Sequence, residues 1–206
     1  MAGLTITTDA SDEPLSLQET KDYLRLDEQT DDSIVRSLII NARQFTEEYL
    51  ARSLINKTYK YSMDYIEELD VPLWEGNKVG PDMTIRRRYV TLPRPPLVSV
   101  TSITSFDDSD NSTVFAASKY YVDNQREQAR IVLRNGETWP TALRVANAIE
   151  VVYVAGYGTD PNNVPEPIRL AMLQYIAYLY EHRGDDGSAA KLQPSITSLL
   201  QPYRVL

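Results

Sequence analysis

The chain has 206 residues, 42% of them apolar, carries a formal net charge of −8 and contains no cysteine. That length can bury one sizeable core, or one core with an appended lobe. The missing thiols exclude disulfides and thiolate sites, and the acidic balance argues against a sequence-independent nucleic-acid binder, which needs a basic footprint. Met1 to Pro14 is polar and acidic rather than signal-like, and Val151 to Ala155, the longest strongly apolar stretch, falls far short of the ~20 residues of a membrane span. A protein made and used in a reducing cytosol is the expectation. Fourteen tyrosines stand against three phenylalanines. A tyrosine has a large apolar body and one wet end, which suits interfaces and core margins alike.

Ser16-Leu-Gln-Glu19 is a capping-box pattern and predicts a short helix to about Leu26, with Leu17, Tyr23 and Leu24 turned inward. The acidic run DEQTDD follows, and Asp31 or Asp32 caps the next helix. Apolar residues then recur at Ile34, Leu38, Ala42, Phe45 and Tyr49, flanked by Val35, Ile39 and Leu50. This predicts an amphipathic helix to about Leu54. From Lys57 the period falls to two. Tyr59, Tyr61, Met63 and Tyr65 alternate with Thr58, Lys60, Ser62 and Asp64, the pattern of a half-buried strand.

Leu69 to Asp82 reads as an ordered loop, and a strand over 83–92 leads into Thr91-Leu-Pro-Arg-Pro-Pro-Leu-Val-Ser-Val-Thr-Ser-Ile-Thr104. Prolines cannot donate to a β-ladder, so Pro93, Pro95 and Pro96 are expected on a sheet edge, where they block strand addition. Replacing Pro95 and Pro96 by Thr would then raise aggregation. Further strands are expected at 98–106, 120–123, 130–133 and 149–154, with turns at Asp107–Ser112 and Asn135-Gly136. Helical periodicity returns after Val164, where Ile168, Met172, Tyr175, Ile176 and Leu179 form a stripe that ends at Arg183-Gly184. A soft DDGSAA linker precedes a last short helix from Pro194 through Leu199-Leu200, stopped by Pro202.

The expected fold class is therefore α+β. Helices from the two chain ends form an α-helical core, and an antiparallel β-meander of about six strands is inserted between them. The division is 1–56 for the N-terminal core helices, 57–155 for the β insert, 156–186 for the core helix, and 187–206 for a linker with a C-terminal helix and tail.

No enzyme emerges from the residues. His182, the single histidine, sits where a cationic residue suits a helix C-terminus, and it lacks a partner for acid–base or metal chemistry. Asp108-x-Asp110-x-Ser112 starts like a calcium loop but lacks the glycine and the closing glutamate, so a polar hairpin turn is expected. Gly156-Tyr-Gly158 lacks the rest of a phosphate-cradling loop. Glu47-Glu48 and Glu67-Glu68 read most simply as solvated carboxylates. Arg86-Arg87-Arg88 is the one basic run; on a strand Arg86 and Arg88 share a side, and pairing with carboxylates of neighbouring strands or subunits is favoured over phosphate contact.

In order along the chain, Leu15-Ser-Leu-Gln-Glu-Thr-Lys-Asp-Tyr-Leu24 with Asp31-Asp32, then Leu92-Pro-Arg-Pro-Pro-Leu-Val-Ser-Val-Thr-Ser-Ile103, Trp139-Pro140, Val151-Val-Tyr-Val-Ala-Gly-Tyr-Gly158, Val164-Pro165, His182-Arg183-Gly184 and Leu199-Leu200-Gln-Pro-Tyr-Arg204 resemble the head–tail connector (adaptor) family of tailed bacteriophages and gene-transfer particles. The resemblance covers nearly the whole chain. It implies a virion neck protein, present in the host cytoplasm during assembly, that forms a ring of twelve copies under the portal. The ring would join the portal to the next neck or tail-completion protein and let the genome pass through its lumen. It also implies no cofactor, no metal, no membrane and no specific DNA binding.

By position in the family's C-terminal segment, Leu199, Leu200, Tyr203, Arg204 and Leu206 would bind the portal. Deleting Gln193–Leu206 would then abolish attachment and leave the monomer folded. Tyr59, Tyr61, Arg86, Arg88, Pro95 and Pro96 are candidates for contacts between subunits or with the neck. Twelve copies at −8 each would give the ring roughly −96, a sign that repels phosphates and lets DNA slide. Two other readings compete: a DNA-packaging ring resembling a small terminase, which would need a basic helix face, and a host-side enzyme or ligand-binding domain.

Overall fold

The computed structural model describes residues 2–66, 89–182 and 193–205. Among these are four α-helices and eight strands: β1 (Ala2–Thr8), α1 (Leu17–Leu24), α2 (Asp32–Leu50), β2 (Lys57–Met63), β3 (Tyr89–Thr91), β4 (Leu97–Phe106), β5 (Ser112–Val114), β6 (Tyr120–Asp123), β7 (Arg130–Leu133), β8 (Ile149–Ala155), α3 (Glu166–Glu181) and α4 (Pro194–Leu200). The expected α+β class holds. The chain divides into two compact units. The β unit comprises Met1–Thr7, Thr58–Leu92 and Ser99–Val154; the helical unit comprises Thr8–Lys57, Pro93–Val98 and Ala155–Leu206. The expected loop at 69–82, the arginine run at 86–88 and the linker after Arg183 lie outside the described residues.

In the helical unit, helices from both chain ends share one core. Leu15, Val35, Ile39, Leu50 and Leu54 pack with Ile168, Met172, Ile176, Ile196 and Leu200 in a single buried cluster. Ser16 caps α1 as expected, its hydroxyl accepting from the Glu19 N–H at 3.1 Å. Glu19 does not close the capping box; its carboxylate takes the Arg169 guanidinium at 2.6 Å. Tyr23, expected inward, is 43% exposed.

On α2 the buried face runs through Val35, Ile39, Ala42, Thr46 and Leu50, so the expected flank is the centre of the stripe, while Ile34 is exposed. The helix ends at Leu50 rather than near Leu54. Ala51 takes a left-handed conformation with φ 54°, and the N–H groups of Ala51 and Arg52 return to the carbonyls of Glu48 and Glu47. That is a Schellman ending without its usual glycine. α1 ends in the same way through Arg25, φ 57°.

In the β unit a five-stranded sheet has the order β1-β2-β8-β4-β5, and a three-stranded sheet the order β3-β7-β6. β4 pairs with β5 in antiparallel register, Thr104 opposite Val114 and Phe106 opposite Ser112. β7 pairs antiparallel with both neighbours, Ile131 lying opposite Val90 and Val122. The expected strands from Lys57 and at 98–106, 120–123, 130–133 and 149–154 are present. Of the one expected over 83–92, Tyr89–Thr91 is a strand and 83–88 lie outside the described residues, and β5 was not expected. Two features differ from a simple meander: β8 lies between β2 and β4, and β1 adds a strand from the N-terminal segment. β1 was not anticipated, although Leu4 and Ile6 alternate with Thr5 and Thr7; its burial pattern is exposed almost throughout.

The polar turn between β4 and β5 is a hairpin turn as expected. The Asp107 carboxylate accepts from the backbone N–H of Ser109 and of Asn111 at 2.9 and 2.8 Å. Inside the larger sheet Tyr59 stacks on Tyr153 with ring centroids 5.6 Å apart.

Candidate functional site

The last turn of α2 is the node from which the helical unit is organised. Glu47, expected to be solvated, is buried. Its carboxylate accepts from the Leu54 backbone N–H at 3.0 Å and from the Lys57 ammonium at 2.6 Å. Arg43, one turn earlier, reaches Glu47 at 3.4 Å and Glu13 at 2.8 Å. Asp9 closes the group, 3.2 Å from Lys57 and 3.4 Å from Arg43. The side chains of Arg43, Lys57 and Glu47 are only 5, 3 and 8% exposed, so each cation needs its carboxylates.

Burial alone would weaken the Arg43 charge, yet hydrogen bonding and attraction from Glu13, Glu47 and Asp9 prevail and hold its pKa above the ordinary arginine value. Burial likewise acts to raise Asp9. The Ala10 N–H, the Lys57 ammonium and Arg43 outweigh it and leave the carboxyl below its usual range.

The proline block is bound to the same node. Arg94, at φ 60°, donates to the Glu47 carbonyl at 2.7 Å and to the Glu48 carboxylate at 2.6 Å. The Pro95 carbonyl accepts from Ser53 N–H at 3.1 Å, and that of Pro96 from Gly156 N–H at 2.9 Å. The peptide between Pro95 and Pro96 is cis. The expected sheet-edge role is therefore corrected. The prolines sit in the helical unit, with Pro95 buried, and the strand they enter, β4, lies between β8 and β5. Their carbonyls accept while their absent N–H groups leave nothing unpaired.

Gly156, which the phosphate-loop comparison singled out, has a packing reason instead. At φ 148° a Cβ would lie 2.5 Å from the Asn56 backbone nitrogen, so only glycine fits. His182 lies just beyond α3. It stacks on Tyr178 at 4.3 Å between ring centroids, and its Nδ1 is 2.9 Å from the Tyr178 carbonyl oxygen.

The C-terminal segment, the candidate binding element, closes on this node too. α4 is followed by a 3-10 turn, Gln201–Tyr203. Ile196 and Leu200 are each 1% exposed in the core, and Leu199 and Tyr203 pack against it partly buried. Arg52 donates to the Tyr203 carbonyl, and Val205 N–H bonds to the Leu50 carbonyl at 3.0 Å. The exposed Arg204 lies over the Tyr49 ring at 5.2 Å, and Tyr49 in turn stacks on Phe45.

Of the five C-terminal candidates, Leu199, Tyr203 and Arg204 thus retain surface, Leu200 faces the core, and Leu206 lies outside the described residues. Ile196, the second buried anchor, was missed; its place four residues before Leu200 was the available signal. Among the other candidates Tyr59 is 3% exposed, Tyr61 and Pro96 are half-buried, and Arg86 and Arg88 lie outside the described residues. Among the described residues no helix is long and apolar enough to cross a membrane.

A helical node thus gathers the turns of the helical unit and its C-terminal end. The chain belongs to the head completion protein family, whose family model matches residues 13–205. The resemblance to the head–tail connectors holds at that level. No curated protein matches the chain. Among solved structures, its fold is similar to a chain in the neck of an empty gene-transfer-agent (GTA) particle computed with C6 symmetry. The TM-score is 0.78 at 21% identity, covering 99% of this chain and 96% of that one. A chain of the native GTA virion gives 0.74 at 21% identity over 98% and 95%. A chain of the native GTA neck computed with C12 symmetry gives 0.70 at 20% identity over 99% and 96%.

Proposed function

We propose that this protein is a non-enzymatic connector subunit of a phage-type neck. Copies of it, twelve by the family resemblance, form a ring under the portal. The ring links the portal to the next neck or tail-completion protein, and DNA passes through without being bound. What supports this most is a fold shared over nearly the whole length with chains from a particle neck determined under six-fold and twelve-fold symmetry, together with the family assignment.

In this reading 1–56 and 156–186 are the core, 57–155 is the insert that touches neighbours, and 187–206 docks on the portal. Leu199, Tyr203, Arg204 and Leu206 make that contact directly, and Leu200 supports it from below. Tyr61, Pro96, Arg86 and Arg88 face neighbouring subunits or the neck, while Tyr59 and Pro95 act through packing.

Deleting Gln193–Leu206 is a poor test, because it strips Ile196 and Leu200 from the core. The better variant combines Arg204→Glu with Tyr203→Ala and keeps both anchors. Mixed with purified portal rings, the wild-type chain should co-sediment at a mass near twelve added copies. The double variant should keep a cooperative melt, lowered only by the lost partial packing of Tyr203, and stay in the supernatant. Co-sedimentation of that variant would remove the C-terminal role, and failure of the wild type to bind would overturn the connector reading.

A further inference from the structure

Among the described residues, nothing guards either edge of the five-stranded sheet. β1 at one end and β5 at the other contain no charged residue and no proline, the usual devices against strand addition. Ile6 on β1 is 52% exposed and Val114 on β5 is 68% exposed. Two of the three Thr hydroxyls of β1, those of Thr5 and Thr7, bond back to the β2 carbonyls of Lys60 and Thr58 at 3.3 and 3.1 Å. They hold the strand in its sheet with its other edge outward.

The amide directions on β5 can be derived. The Phe115 N–H bonds to the Ile103 carbonyl and the Asp107 N–H to the Asn111 carbonyl, with Ser105 opposite Thr113 between them. Hydrogen-bonded pairs alternate along an antiparallel ladder. Thr113 therefore turns its amide groups to β4, and Ser112 and Val114 turn theirs to the free edge.

A cavity of about 480 Å³ lies along that edge, lined by Thr113, Val114, Phe115 and Trp139 and also by Asp107 and Lys119. Phe115 and Trp139 sit with ring centroids 5.3 Å apart. Trp139 is 9% exposed, and its buried indole N–H has no acceptor among the described residues. An unpartnered buried donor is costly and points to an acceptor that arrives from elsewhere.

We propose that the β5 edge and the cavity beside it receive the β1 edge of a neighbouring copy, so that the sheets continue from subunit to subunit. This rests on the ring reading above. A closed ring requires two different, complementary faces on each subunit, and the opposite edges of one sheet are such a pair. The occupant is a neutral strand because the cavity's one carboxylate and one ammonium, Asp107 and Lys119, leave no net charge to match. Seven residues of β1 more than cover the three of β5. Within one chain the two edges are four strand spacings apart, about 19 Å, so they cannot pair with each other.

The absence of cysteine makes the test clean. The double variant Ile6→Cys/Val114→Cys, with Thr5→Cys and Thr7→Cys replacing Ile6→Cys to cover register, is assembled on portal rings and oxidised. Paired strands bring Cα atoms to about 4.5–5.5 Å, within disulfide reach. The expected result is a ladder of covalent oligomers rising to the ring number in at least one register, with none from either single variant. Val114→Pro removes an outward N–H and no β4 bond; it should melt like wild type while lowering ring yield by at least about tenfold. Rings of normal mass with no ladder in any register would overturn the strand pairing and leave the ring standing. Dimers from Ile6→Cys alone would overturn it in favour of a two-fold contact. Absence of wild-type rings would overturn both the ring reading and the pairing.

Discussion

The helical unit and the β unit treat apolar surface differently. In the helical unit one continuous cluster takes side chains from all four helices, and among its described residues the exposed large hydrophobics reach at most 51%, at Val98. In the β unit Tyr65 is 59%, Val114 68% and Val145 95% exposed. A charged node ties the helical unit's turns to its C-terminal segment, while among the described residues the five-stranded sheet ends in the uncharged strands β1 and β5. One unit is built to hold itself together, and the other leaves surface unsatisfied in the isolated chain. Apolar surface left open beyond scattered single residues marks a contact site.

Substitutions can break that contrast, and the largest effect belongs to Gly156→Ala. Its Cβ would collide with backbone that has no room to move, so a loss above about 4 kcal/mol is expected, read as failure to give a cooperative thermal melt. Glu47→Ala leaves Lys57 and Arg43 buried without their shared carboxylate and should cost about 3–5 kcal/mol in urea denaturation. Leu200→Ala empties a core position and should cost about 2–5 kcal/mol by the same measurement. If all three left stability unchanged, the helical unit would not be packed as described. By contrast Val145→Asp should stay within about 0.5 kcal/mol of wild type.

Smaller effects sharpen the comparison. Ala51→Gly relieves a left-handed alanine and should raise stability by roughly 0.5–1 kcal/mol; a loss would mean that the helix ending is not as described. Each unit also holds depressed carboxyls. Asp123 in the β unit is lowered chiefly by its bond to Arg130 and also by the Gln125 N–H, and Asp9 lies below the ordinary range in the helical unit. A carboxyl with a folded pKa below its unfolded value contributes stability above the unfolded pKa and loses it as pH falls through the folded one. Acid titration should therefore weaken both units below about pH 4. Asp123→Asn should flatten that dependence for the β unit alone, as followed by amide exchange.

The sequence determined a good deal through local rules. The change of period from 3.6 to 2 at Lys57 and back after Val164 located the helices and most strands. Ser16 named its own cap, and the asparagine- and aspartate-rich turns fell where they were expected. Those signals are local because helix and strand geometry impose them on neighbouring residues. The α2 overrun came from an ending formed by Ala51 instead of glycine, and β1 was missed although Leu4-Thr5-Ile6-Thr7 alternates with period two. Family membership was legible because many weak motifs kept their order.

Tertiary structure alone decided the rest. Whether Glu47 is solvated or buried depends on Arg43 and Lys57 arriving from other turns. Whether Pro95 lies on an edge or against Ser53 depends on where the chain re-enters the helical unit. The turning of Leu200 inward and Arg204 onto Tyr49 required the two chain ends to meet. Burial and charge pairing are set by residues distant in sequence, and no local pattern encodes which of them will be neighbours.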